Sequence, residues 1–118
     1  MATGTVPAQI VPEERGRTTI TDRVLARIAA RAATEALAVH TAEPERLSTP
    51  RSSAGQGRRG VSVQVGLDLP YPVDIAAVTR EVHQQVVGRL AELAGTEDPR
   101  VTLVVERLVP AAPSGRVR

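Results

Sequence analysis

Apolar positions recur every third or fourth residue in "ITDRVLARIAARAATEALAVH", residues 20–40, where Val24, Leu25, Ile28, Ala32 and Ala36 form one stripe. That spacing predicts an amphipathic helix. Thr21 stands where a hydroxyl can cap the first turn, and Asp22 complements the helix dipole. Arg23, Arg27 and Arg31 step by four along the other side, with Glu35 in reach of Arg31. The pattern then lapses. Residues 43–60, "EPERLSTPRSSAGQGRRG", hold too little apolar surface to offset the entropy of ordering them, and read as a mobile loop. Strict alternation begins at Val61: Val61, Val63, Val65, Leu67 and Leu69 against Ser62, Gln64, Gly66 and Asp68. This predicts a strand with one face on a core and the other toward water or a partner. Pro72 ends it.

A second helical stripe follows in "VDIAAVTREVHQQVVGRLAELAG": Ile75, Val78, Val82, Val86, Leu90 and Leu93. Asp74 suits the start of this helix, and Gly95 suits a left-handed cap at its end. The segment "RVTLVVERLV" reads as a last strand. Val101, Leu103 and Val105 share one face, and Thr102, Val104, Glu106 and Leu108 share the other. The order is helix, strand, helix, strand. The 118 residues make one domain, expected over 17–109, with flexible tails at 1–16 and 110–118.

Composition narrows the chemistry. With 42% hydrophobic residues a core is possible, but no Phe, no Trp and a single Tyr leave it to aliphatic side chains. Base stacking on aromatic rings has little support for the same reason. The absence of Cys removes disulfides, thiolate ligands and thiol nucleophiles. No secretory leader and no membrane-length apolar run is visible, so a cytoplasmic protein is expected. All fifteen basic residues are arginine, which lifts the pI to about 10.3 although the net charge is only +2. The densest cationic group is Arg51, Arg58 and Arg59.

The string "GQGRRG", Gly55 to Gly60, has the letters of a dinucleotide-binding loop, G-x-G-x-x-G. Such a loop leaves a strand and opens a helix, whereas this one opens a strand. A G-x-x-G clamp on RNA would lie between helices, and Gly57 to Gly60 does not. His40 and His83 are the only imidazoles; His83 has no carboxylate or His four residues away, and both read as surface or boundary histidines and not as metal ligands. The serines 48, 52, 53 and 114 lie in segments read as mobile, and Ser62 has no base partner. No catalytic, cofactor or metal residue is therefore assigned, and a non-enzymatic protein without a small-molecule substrate is expected.

Three pieces together resemble the alkaline shock protein family of bacterial envelope stress: "GRTTITDRVLARIAARAATEALAV", "VSVQVGLDLPYPVDIAAVTREVHQQVVGRLAEL" and "RVTLVVERL". They cover roughly two-thirds of the chain. Pro72 departs from the glycine usual there. The family's additional strand before Val61 has at most a stub here, at "AVHT". The resemblance implies an α+β fold with two helices on one face of a two- to three-stranded sheet, in the order α-(β)-β-α-β. It also implies a scaffolding or interaction protein at the inner face of the cell membrane, self-associating and held by a small membrane-anchor protein. A domain of this size with an aromatic-free core gains from burying surface against a copy; Val104 with Leu108, or an open sheet edge, is the expected contact. The second reading is a small RNA- or DNA-binding domain that uses Arg51, Arg58, Arg59 and the basic tail.

Overall fold

The computed structural model describes residues 20–111, so the tails expected at 1–16 and over most of 110–118 lie outside the described residues. Helix α1 spans Asp22–Ala38, strand β1 Arg51–Gly57, strand β2 Gly60–Tyr71, helix α2 Ile75–Ala94 and strand β3 Arg100–Pro110. A short 3-10 turn, Pro44–Arg46, interrupts the passage from α1 to β1. The helix ends follow from local chemistry. The Thr21 hydroxyl accepts the Val24 N–H at 3.2 Å, and the Asp74 carboxylate accepts the Ala77 N–H at 3.1 Å. Gly95 closes α2 with φ 68°, a left-handed conformation that suits glycine.

The fold is α+β, with two helices on one face of a three-stranded sheet of order β1-β2-β3. Strands β1 and β2 are antiparallel; β2 and β3 are parallel, joined through α2. The third strand lies inside the segment read as a mobile loop. "AVHT" contributes no stub, because Ala38 ends α1 and the chain turns there. The sequence of β1, "RSSAGQG", has low intrinsic preference for strand, but β2 supplies a full ladder from Arg51↔Gly66 to Gly57↔Gly60. Side chains also tie it to α1. Ser52 Oγ donates to the Ala26 carbonyl, and Gln56 Nε2 donates to the Ile20 carbonyl and to Asp22 Oδ1, each at 2.8 Å.

The core is aliphatic throughout. Leu25, Ala29, Ala32, Ala33 and Leu37 of α1 and Val78, Val82, Val86 and Leu90 of α2 meet Val63, Val65, Leu67, Leu69 and Val101 of the sheet. The buried stripe of α1 is turned from the expected one: Val24 is exposed, Ile28 and Ala36 are half-buried, and Ala29, Ala33 and Leu37 are inside. Alanines on this face let α1 lie close to both β1 and α2. Ile75 and Leu93, at the two ends of α2, are exposed. Between the helices Arg89 pairs with Glu35 and His40 with Glu81.

One irregularity changes which residues share a face. Leu67 pairs with Val105 and Asp68 with Arg107, so Glu106 is an extra residue, a β-bulge in β3. Beyond it Leu69 pairs with Leu108, which places Leu108 on the helix side rather than beside Val104. Strand β3 runs on to Pro110, and the Ala111 N–H reaches the Tyr71 carbonyl at 3.3 Å, so ordered structure passes the expected domain end.

Candidate functional site

"GQGRRG" resolves into a β-hairpin. Gly55 and Gly57 belong to β1, Arg58 and Arg59 form the turn, and Gly60 opens β2. Gly60 has φ 100°, and both arginines keep negative φ. The glycine takes up the left-handed conformation that reverses the chain. The loop opens strand β2 and no helix, and the start of α1 meets it only through the Gln56 side chain, so the dinucleotide reading has no strand–loop–helix geometry to support it.

The strand register sorts the sheet into two faces. Ser53, Gln64 and Thr102 form one row of the helix-free face; Gly55, Ser62 and Arg100 form the next. Parallel pairing of Ser62 with Arg100 brings a third guanidinium to the hairpin end. Arg58, Arg59 and Arg100 line an open groove of about 350 Å³, and the polar rows beside it line another of about 430 Å³. None of the three arginines has a carboxylate partner among the described residues.

Arg51, expected in the same cluster, is taken elsewhere. It pairs with Glu106 across β2, over Gly66. A side chain at Gly66 would meet the Glu106 carboxyl carbon at 2.8 Å, so glycine is what lets this pair cross the sheet. One residue row further on, Asp68 is buried although the alternation put it on the open face. It accepts the Ser48 N–H and a guanidinium N–H of Arg107, each at 3.0 Å. Burial opposes its ionisation. The hydrogen bonds from Arg107 and Ser48, with the Arg107 charge, outweigh burial and hold the carboxyl below its ordinary range.

The third feature is the free edge of β3. This strand has eleven residues against seven in β1, and among the described residues its strand partner lies on one side only. Val104, Val105 and Leu108 are all exposed along it. The β1 edge is short, polar and contains two glycines, which weakens it as a template. Of the expected contact pair, Val104 lies on the helix-free face and Leu108 on the other, so they form no common patch; the edge is what they share.

The remaining candidates are accounted for separately. His83 Nε2 donates to the Val101 carbonyl at 3.2 Å, and His40 Nε2 lies 2.8 Å from Glu81 Oε1, so neither imidazole pairs with a serine. Ser48, Ser53 and Ser62 are exposed, and Ser114 lies outside the described residues. No group of three or more His, Asp or Glu able to hold a metal occurs among the described residues. No helix among them is long and apolar enough to cross a membrane.

Comparison with known proteins corrects one expectation. No family model matches the chain, and no curated protein matches it either. Among solved structures it is similar to an organic hydroperoxide resistance protein from Elizabethkingia anophelis, crystallised with thiocyanate bound. The TM-score is 0.45 and the identity 13%, over 86% of this chain and 79% of that one. The resemblance to the alkaline shock family is therefore corrected: no family model matches the chain, and the solved structure it is similar to is of another protein. The short pieces that carried it are helix stripes and strand alternations, which any small α+β domain shares. At this TM-score the hydroperoxide protein lends the chain no activity.

Proposed function

We propose that this chain is a non-enzymatic interaction module that joins a second polypeptide, in the first instance its own copy, along the free edge of β3. The observation that carries this reading is that edge: the longer of the two, with Val104, Val105 and Leu108 exposed along it, and unpaired among the described residues. A sheet edge offers unpaired N–H and C=O groups, and strand addition gives affinity without a pocket. Membrane anchoring and envelope stress rested on the family resemblance alone and are not carried further.

Charge favours one register for a pair of copies. An antiparallel two-fold pairing centred on Leu103 sets Val101 against Val105 and Thr102 against Val104. It also sets Arg100 against Glu106, twice. Directly opposed residues in such a pair share a face, and opposite charges there contribute roughly 0.2–1 kcal/mol each. Residues 101–105 are the regular stretch of β3, and Glu106 at its end is the bulge residue that also pairs with Arg51.

Sedimentation equilibrium on the full chain tests this. The wild type is expected to dimerise. Arg100→Glu and Glu106→Arg are each expected to weaken the dimer, and the combined exchange to restore it. A monomer at high micromolar concentration sinks the reading; dimers indifferent to both single changes remove the register.

A further inference from the structure

The helix-free face of the sheet and the tip of the β1–β2 hairpin are not used by edge pairing. We infer that they form a binding site for the sugar–phosphate backbone of a single-stranded nucleic acid, with Arg58 and Arg59 as its phosphate contacts. Four observations lead there. Both arginines sit on an exposed two-residue turn with no carboxylate partner among the described residues, while Arg51 and Arg107 are neutralised by Glu106 and Asp68. Among the arginines of the sheet, those without a carboxylate partner are thus gathered at one end, while Arg23, Arg27 and Arg80 are spread over the helices. The groove at the turn continues into the groove along the polar rows; they share Gly55, Ser62 and Arg100. Those rows present the exposed side chains of Ser53, Ser62, Gln64 and Thr102, whose hydroxyl and amide groups have no side-chain hydrogen bond within the described residues.

Each part has a matching part in the ligand. Guanidinium groups bind phosphate oxygens in a fixed fork. Hydroxyl and amide side chains bind sugar oxygens and base edges. A sheet face uncovered by helices is open to an extended strand. No aromatic ring lies on it, so stacking contributes nothing and binding is led by the backbone and tolerant of sequence. A lipid surface fits less well: the tip carries cations but no exposed large apolar side chain to enter the headgroup region. Arg100 borders the same groove but also lies on the β3 edge, so the test leaves it unchanged. Failure at the hairpin is thereby separated from failure of strand pairing.

The experiment is a fluorescence-anisotropy titration of the full chain with a mixed-sequence single-stranded oligonucleotide at several salt concentrations. Each phosphate neutralised on a single strand contributes about −0.7 to the slope of log K against log salt. Arg58→Gln with Arg59→Gln is expected to flatten that slope by about 1.4. Arg23→Gln with Arg27→Gln, on the exposed side of α1, is expected to leave it unchanged. Both pairs are solvent-exposed, and matched thermal unfolding confirms that each variant is folded. No binding at low salt overturns the inference. So does an equal loss from the α1 pair, which would mean diffuse charge. Binding to phosphatidylglycerol vesicles without binding to the oligonucleotide overturns it in favour of a membrane surface.

Discussion

Single residues carry two features of this fold that can be measured alone. Asp68 is buried between Ser48 and Arg107, and its carboxyl is held below the ordinary range. A lowered folded-state pKa means that the folded protein favours the carboxylate. The resulting stability is present above the unfolded-state pKa and is lost as pH falls through the folded one. Urea unfolding as a function of pH is expected to show stability falling below about pH 4, and Asp68→Asn to flatten that limb. An acid limb unchanged by the substitution would mean that other carboxylates set it. Gly60, at φ 100°, is the second case. Gly60→Ala is expected to lose about 1–2 kcal/mol of unfolding free energy, because a Cβ is strained in the left-handed region. Gly57→Ala, with nothing within 4 Å of its Cβ and ordinary φ, is expected to lose less. At this scale the sequence was readable at the caps. Thr21, Asp74 and Gly95 act where their types and positions said they would, because capping depends on a few neighbouring residues. Asp68 was not readable, because its burial depends on Ser48 and Arg107, from two other parts of the chain.

At the scale of elements, long periodic segments declared themselves and borrowed structure did not. Both helices and strands β2 and β3 carry their own apolar pattern, so their existence follows from local sequence. Strand β1 does not. It is held by β2's ladder and by the Ser52 and Gln56 bonds to α1, none of which shows in "RSSAGQG". The bulge at Glu106 is likewise invisible in an alternating run, and it moved Leu108 to the other face. Arg100 could have been placed. A strand–helix–strand unit with a right-handed crossover sets the start of β3 beside the start of β2, which brings Arg100 to the hairpin end. The energetic weight of the sheet lies in β2, the central strand. Leu67→Ala is expected to cost about 2–5 kcal/mol in denaturant unfolding, because Leu67 is 1% exposed. Ser53→Ala, on the open face, is expected to change stability by less than about 0.5 kcal/mol. Similar losses from the two would contradict the assignment of faces.

The whole molecule is a thin, aliphatic, one-sided sandwich. Two helices cover one side of the sheet; among the described residues no further element covers the other side or pairs with either edge. A small domain with so few large side chains has limited surface to bury internally, and added contacts count for more. Its open side is polar and its long edge exposes Val104, Val105 and Leu108, which suits the two proposed contacts to two different places: strand pairing at β3 and phosphate binding at the hairpin. Amide hydrogen exchange read peptide by peptide, at low and at high protein concentration, tests the first of these most directly. Pairing through the long edge requires that amides of β3 gain protection as concentration rises while those of β1 do not. Protection independent of concentration, or a gain confined to β1, would contradict it.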